Sequence, residues 1–338
     1  MKNIELFAGA GGLALGLEQA GFDPIRLIEY DPIASQTLQK NRPSWQVITK
    51  DISLISCLDL ESYFDIPKGK LDLLSGGCPC QPFSYAGKGL GLKDTRGTLF
   101  YHYAIFLQKL QPKMFLFENV KGLLTHDHGR TYQTIKTVFE TSGYIMNQAI
   151  LNAWDYGVAQ KRERLIIVGI RKDLFPDLSF SFPERQGKKL VLKDILLDCP
   201  ESDGLQYSET KKELFRFIPE GGNWRDLPES MAKEYMKGCW NATGGRTGIL
   251  KRLSWEEPAP TILTHPAQKQ TDRCHPSEIR PLTIQESARC QSFPDIWKFC
   301  GTILQQYKQI GNAVPVNLAY AIGKQIYQSL EEFYEKNS

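Results

Sequence analysis

Short, mostly apolar runs and amphipathic stretches alternate along the first half of the chain. The runs 4–7, 25–28, 71–74, 114–117 and 165–170 have strand length, and residues 46–49 are also strand-like. Between them, residues 13–20, 33–38, 100–110 and 132–141 carry apolar side chains at helical spacing. This alternation predicts an α/β fold with a doubly wound, mostly parallel sheet. After about residue 183 the texture changes to Pro, Gly and Trp in irregular surroundings, as in Pro219-Glu220-Gly221-Gly222-Asn223-Trp224. A second, smaller, loop-rich domain is expected there. Helical spacing returns at 316–334 through Leu318, Ile322, Ile326 and Leu330, so this segment is expected to pack back on the first domain.

Composition changes this picture little. With 338 residues, 41% hydrophobic and 23% charged, the chain is long enough for two cores and excludes a disordered or fibrous protein. No apolar run approaches the roughly twenty residues that span a bilayer, and the start Met1-Lys2-Asn3-Ile4 shows no signal-peptide pattern, so a cytoplasmic protein without membrane contact is expected. The eight cysteines are scattered and read as reduced thiols, and neither Cys78-Pro79-Cys80 nor Cys274-His275 has zinc-site spacing, so no metal is expected. A net charge of +3 neither requires nor forbids a nucleic-acid partner. Between Lys237 and Arg273, six basic residues stand against three acidic ones among Trp, Gly and Thr, which suits phosphate contacts and equally suits a solvated irregular surface.

Candidate chemistry gathers at strand ends. Cys80, in Gly76-Gly77-Cys78-Pro79-Cys80-Gln81-Pro82-Phe83-Ser84, follows the run 71–74, where a thiol would face the crevice beyond a sheet's carboxyl edge. The alternative is a buried structural cysteine. The run 4–7 opens into Ala8-Gly9-Ala10-Gly11-Gly12 before a helix, which lets backbone N–H groups approach a ligand. Glu29, about twenty residues on at the end of the next strand, suits ribose hydroxyls. Because Gly9-Ala10-Gly11-Gly12-Leu13-Ala14 also fits G-x-G-x-x-A, a nicotinamide-dependent oxidoreductase stays open. Tyr30 can stack on an adenine or simply edge a strand. Asp51 can bond an adenine amine or cap a helix. Glu118 ends another apolar strand, where its pKa tends upward, as proton donation requires. Arg162 and Arg164, in Gln160-Lys161-Arg162-Glu163-Arg164, aim at a base or phosphate, or lie at a solvated strand edge.

Taken in order, Leu6-Phe7-Ala8-Gly9-Ala10-Gly11-Gly12, Gly77 to Ser84, Arg96-Gly97-Thr98-Leu99-Phe100, Glu118-Asn119-Val120, Gln160 to Arg164, Arg280-Pro281-Leu282-Thr283 and Gln309-Ile310-Gly311-Asn312-Ala313-Val314-Pro315 resemble the DNA (cytosine-5)-methyltransferases across nearly the whole chain. The resemblance implies a Rossmann-like catalytic domain at 1–182 plus 308–338 and a target-recognition domain at 183–307. It implies transfer of a methyl from S-adenosyl-L-methionine, leaving S-adenosyl-L-homocysteine, to C5 of a flipped-out cytosine in a short duplex DNA sequence. Cys80 would add to C6, Glu118 would bond the N3 and amino edge, Arg164 would contact O2, and Arg162 would support the nucleophile's loop. The glycine-rich stretch after Cys80 resembles the family's closing loop.

For the cofactor, the resemblance implies Phe7 and Tyr30 at the adenine, Ala8, Gly9, Gly11 and Gly12 at the methionine end, Glu29 on the ribose, and Asp51 and Ile52 reading the base. Pro79, Leu99, Asn312, Ala313 and Val314 would complete the pocket. Tyr30 departs from relatives that carry Trp there, and leaves stacking intact. Gln81, Ser84, Lys88 and Arg96 are expected at DNA. In the domain without shared motifs, Arg246, Lys251, Arg252 and Thr264 are candidate DNA contacts, each equally a turn residue or a phosphate contact. A monomer of a prokaryotic restriction-modification system, paired with an endonuclease, is the expectation. A tRNA cytosine-5 methyltransferase and a catalytically silent DNA-binding protein are the remaining alternatives.

Overall fold

A computed structural model of the chain describes residues 1–79, 98–237, 240 and 247–337. Its strands are β1 (Lys2–Leu6), β2 (Asp23–Glu29), β3 (Val47–Thr49), β4 (Leu73–Gly77), β5 (Met114–Val120), β6 (Tyr144–Asn152), β7 (Gln160–Lys161), β8 (Glu163–Arg171) and β9 (Ala259–Pro260). Its α-helices are α1 (Gly12–Gln19), α2 (Pro32–Asn41), α3 (Ile52–Ser56), α4 (Leu60–Phe64), α5 (Leu99–Leu110), α6 (Arg130–Thr141), α7 (Lys193–Leu196), α8 (Glu209–Phe215), α9 (Glu229–Met236), α10 (Ile284–Cys290), α11 (Ile303–Asn312) and α12 (Val316–Lys336).

The chain divides into two compact units. Unit 1 comprises Met1–Tyr156, Glu163–Gly187 and Val314–Ser338, and unit 2 comprises Gly157–Arg162 and Lys188–Ala313. These bounds differ from the expected 1–182 plus 308–338, because residues 308–312 complete α11, and α11 belongs to unit 2.

Unit 1 holds one seven-stranded sheet in the order β3-β2-β1-β4-β5-β8-β6. The pairs from β3 to β5 are parallel, while β8 runs antiparallel to both β5 and β6. The apolar runs become strands because a parallel sheet is covered on both faces. β6 was not legible as a strand: Tyr144 to Asn152 alternates neither cleanly nor continuously, and most of its residues stay partly exposed.

One face is filled by rings. Phe100, Tyr103, Phe115, Phe117, Phe139 and Tyr144 are all essentially inaccessible, with Phe115 and Phe139 centroids 4.5 Å apart and Tyr103 edge-on to Phe117 at 5.3 Å. Edge-to-face contacts of this kind add to the area term for burying large rings. The hydroxyls remain satisfied, Tyr103 donating to Leu116 O and Tyr144 to Pro112 O.

As expected, α12 packs in unit 1, and it does so against α1. Gly16 permits the approach: a β-carbon built there would lie 2.5 Å from both Ala319 Cβ and Val316 O. Gly323 faces Leu17 and Ala20 in the same way. At the strands' amino ends, Asp72 accepts from Lys2 N, Lys113 Nζ and the Tyr334 hydroxyl, which fastens the far end of α12. Burial raises the Asp72 carboxyl, but these donors outweigh it and hold the group below the usual carboxylate range.

Unit 2 is richer in helix than expected. α10 and α11 each begin with a capping box, Thr283 with Glu286 and Thr302 with Gln305, a signal readable in the sequence. One of its cores gathers Tyr207, Phe215, Ile218, Met236, Ile249, Leu250 and Cys274.

Gly16→Ala should lower stability by about 1–3 kcal/mol, as overpacking does. Urea unfolding would report it as a lower midpoint at unchanged m-value, and an unchanged midpoint would mean that the α1–α12 approach is not tight.

Candidate active site

β1, β2, β4 and β5 are neighbouring parallel strands, so their carboxyl ends share one edge. After β1 the chain turns sharply. Phe7 (φ 58°), Gly9 (φ 56°) and Gly11 (φ 88°) all adopt left-handed backbone before α1 begins at Gly12. A β-carbon on Gly9 would meet nothing within 4 Å, so the loop is open above that residue. Ala8 is buried and Gly12 leads a helix without a side-chain cap.

Glu29 holds this loop. Its Oε2 accepts from Gly9 N at 2.7 Å and its Oε1 from Asp31 N at 2.8 Å, tying the turn after β1 to the turn after β2. Burial raises the Glu29 pKa, and the two N–H bonds oppose the shift. Beside it, Tyr30 is 73% exposed. Asp51 caps α3 by accepting from Ser53 N, which lowers its pKa, and Ile52 behind it is buried. The structure thus gives Asp51 the capping role weighed in the sequence. Leu99 opens α5 and Pro79 is exposed after β4. Val314 lies in unit 1 and is buried, whereas Asn312 and Ala313 lie in unit 2, the former exposed.

Glu118 lies near the end of β5 opposite Gly77 of β4. A side chain at 77 would place its β-carbon 2.8 Å from Glu118 Oε2, so the glycine makes room for the carboxylate. On the other side, Arg164 pairs with Val120 in the antiparallel register, two residues from Glu118 and hence on the same face. Arg164 Nε reaches Glu118 Oε1 at 2.9 Å, with side chains only 11% and 12% exposed. Asn119 went unassigned in the sequence. It donates from Nδ2 to Cys78 O at 2.9 Å and accepts from Val120 N, fixing the strand end that leads to Cys80.

Cys80, Gln81, Ser84, Lys88, Arg96 and Arg246 lie outside the described residues. Three of the other thiols are poor nucleophile candidates, because burial pushes Cys199 and Cys274 up to about 12 and raises Cys290 as well.

Arg162 is buried in unit 2, donating to Ile262 O, Gly311 O and Ala313 O. Gln160 joins the same network, donating to Cys290 O and Gln291 Oε1 and accepting from Ile262 N. Gln291, unassigned in the sequence, donates on to Ile310 O and Ala313 O. Two of the expected DNA contacts have other employment. Lys251 Nζ donates to Gly221 O, and Arg252 donates to Ile218 O, Pro276 O and Ser277 O. Their donors satisfy backbone carbonyls within unit 2, while both side chains stay partly exposed. Thr264 is exposed on a loop.

Among solved structures, a protein from an Escherichia coli prophage, described as a DNA modification methyltransferase, matches with a TM-score of 0.72 at 26% identity over 98% of this chain and 99% of that one. S. pombe Dnmt2 methyltransferase shares the fold, with a TM-score of 0.65 at 18% identity over 98% and 99% of the two chains. A model of the C-5 cytosine-specific DNA methylases matches residues 1–328, and the chain belongs to that family. The Type II methyltransferase M.Sau96I of Staphylococcus aureus is 53% identical over 98% of this chain and 76% of its own length. M.Eco47II of Escherichia coli is 50% identical over 98% of this chain and 80% of its own.

The protein is therefore a DNA cytosine-5 methyltransferase, and membership implies S-adenosylmethionine as methyl donor. The nicotinamide alternative is overturned, since its G-x-G-x-x-A pattern belongs to a methylase family match. Among the described residues, no helix is long and apolar enough to cross a membrane, and no group of His, Cys, Asp or Glu is arranged to hold a metal.

Arg164→Met should destabilise the fold by about 3 kcal/mol by leaving Glu118 uncompensated. Adding Glu118→Gln should recover most of that loss in a double-mutant cycle of thermal unfolding. Additive losses would mean that the two side chains are not coupled.

Proposed function

We propose that the protein is a Type II modification methyltransferase that methylates cytosine in a short duplex DNA sequence, and that the flipped-out base is attacked by Cys80. The observation that carries this reading is the Gly77-Glu118-Arg164 arrangement at the strand edge from which the Cys80 segment leads. The Type II methyltransferases at 50–53% identity support the modification role.

The residues at the first two strand ends fit S-adenosylmethionine. The open space over Gly9, the anchored Glu29 carboxylate and the exposed Tyr30 ring match a methionine end, a ribose and an adenine. Phe7, Ala8, Gly11, Gly12, Asp51, Ile52, Pro79, Leu99, Asn312, Ala313 and Val314 are assigned to the same pocket. When bound, the cofactor supplies an electrophilic methyl group on a sulfonium.

Cytosine C5 is a weak nucleophile. The Cys80 thiolate adds to C6, and the displaced π electrons make C5 enamine-like. Glu118 bonds the N3 and amino edge where charge develops, and Arg164 bonds O2 while orienting Glu118. After methylation, loss of the C5 proton expels the thiolate and restores the ring. A base within the duplex cannot present C6 to a thiol, so the cytosine leaves the stack first. Arg162, which orders Gly311 and Ala313 within unit 2, is assigned by the family resemblance to support of the nucleophile's loop. Gln81, Ser84, Lys88, Arg96, Arg246 and Thr264 are assigned to DNA, with unit 2 as the target-recognition part. The reading extends to a monomer in a prokaryotic cytoplasm, working beside a cognate endonuclease.

With tritiated S-adenosylmethionine and unmethylated duplex DNA, label should appear in 5-methylcytosine and fall at least about a thousandfold in Cys80→Ser, with DNA binding retained. A fully active Cys80→Ser protein would sink the mechanism, and label in tRNA instead of DNA would change the substrate. Cofactor affinity should also depend on pH. Ionised Glu29 accepts at both oxygens, from Gly9 N and Asp31 N, and protonation weakens these bonds and any to a ribose, so its raised pKa means that affinity falls, as the solution is acidified, at a higher pH than for an ordinary glutamate. Calorimetric titrations should show this fall in the native protein and a flattened profile in Glu29→Gln. Identical profiles would exclude Glu29.

A further inference from the structure

In unit 2 two turns meet over a buried ion pair. Residues 247–250 form one turn, and Leu250 at its end has a left-handed backbone (φ 44°). The other is a loop closed on itself: Thr271 Oγ1 donates to His265 O, Arg273 N to Pro266 O, and Thr271 N to Gln268 O. The turns touch at Gly248, where a β-carbon would lie 3.1 Å from Gln270 O. A side chain at 248 would have to push the second loop away.

Beneath them lies Asp272, fully buried. Its Oδ2 accepts from Leu250 N at 3.0 Å, and Lys211 Nζ stands 2.5 Å from its Oδ1. Lys211 also donates to Ala267 O and sits 4.9 Å over the Tyr207 ring, so α8 grips the second loop, and Asp272 carries that hold to Leu250. Arg273 donates to Thr261 O, anchoring the loop's far side. The loop's tip, Gln268, Lys269 and Gln270, is exposed, as is Thr247 opposite. Lys269 is tethered to Tyr235 O, whereas the side-chain amides of Gln268 and Gln270 make no hydrogen bond among the described residues.

Such a pair of turns holds exposed groups in fixed register on a charged base that hydrophobic collapse alone would not specify. A glutamine amide carries both a donor and an acceptor and can bond an adenine edge with both in the major groove. Two of them stand two residues apart on one exposed tip.

We propose that the apposed turns 247–250 and 265–272 form a base-reading surface in which Gln268 and Gln270 contact base edges and the Lys211–Asp272 pair fixes their register. This rests on the reading that unit 2 contacts target DNA, and it adds specificity residues that the sequence motifs did not suggest. The phosphate-directed cations expected nearby are not required for it, since Lys251 and Arg252 are engaged elsewhere.

The test is bisulfite mapping of every methylated site in plasmid DNA modified by the native enzyme, by Gln268→Ala, by Gln270→Ala and by the double variant. Amide hydrogen exchange with and without duplex DNA is measured alongside. Discrimination at one or two base positions should fall by about tenfold to a hundredfold, with methylation continuing at the broadened set of sites. An unchanged site in the double variant would overturn the proposal, as would a uniform loss of methylation with no change in site. If DNA protects other amides of unit 2 but neither turn, only this assignment fails. If DNA protects no amide of unit 2, the target-recognition reading fails with it.

Discussion

A parallel ladder obliges neighbouring strands to end on the same side, and everything assembled at the candidate site follows from that constraint. β2, β1, β4 and β5 deliver Glu29, the Phe7 turn, Cys78 and Glu118 to one edge because each is paired in parallel with the next. The sheet can be built this way only if both faces are buried, which the ring cluster around Phe115 and Phe139 achieves on one of them. Once the strands are fixed, short-range chemistry finishes the site. Glu29 spans two turns with two hydrogen bonds, and Glu118 lies against a glycine with an arginine at its side.

Much of this was legible in the sequence, for physical reasons. Apolar runs marked the strands because the sheet's interior is dry, and the glycines after β1 marked a turn because left-handed backbone is unfavourable for other residues. Phe7 adopts it nonetheless (φ 58°), which no residue type announced. Gly77 was visible only as part of a string. Its reason is the Glu118 carboxylate, about forty residues away in sequence and adjacent across the ladder. β6 escaped because its burial is uneven.

Basic residues were the least readable feature. Lys251 and Arg252 look like phosphate contacts in a sequence, because a side chain's charge is written there and the carbonyls awaiting it are not. Irregular chain leaves carbonyls without ladder partners, and unit 2 meets that demand with side chains. Arg162, Gln160 and Gln291 do the same for residues 262, 290, 310, 311 and 313. A loop-rich region therefore needs polar side chains inside it, so a basic stretch there measures backbone demand as well as affinity for nucleic acid.

The contact between α1 and α12 also sets an order of events during synthesis. The two helices lie about three hundred residues apart in the chain, yet the backbones close to within the space of a missing side chain at Gly16. A ribosome that has released the glycine loop and α1 must add about three hundred further residues before the helix behind that loop finds its partner. Contacts of such separation form late and slowly. The cofactor loop of a nascent chain thus stays without its backing until α12 has been made, and a product truncated before that helix would carry the motif without the support that shapes it.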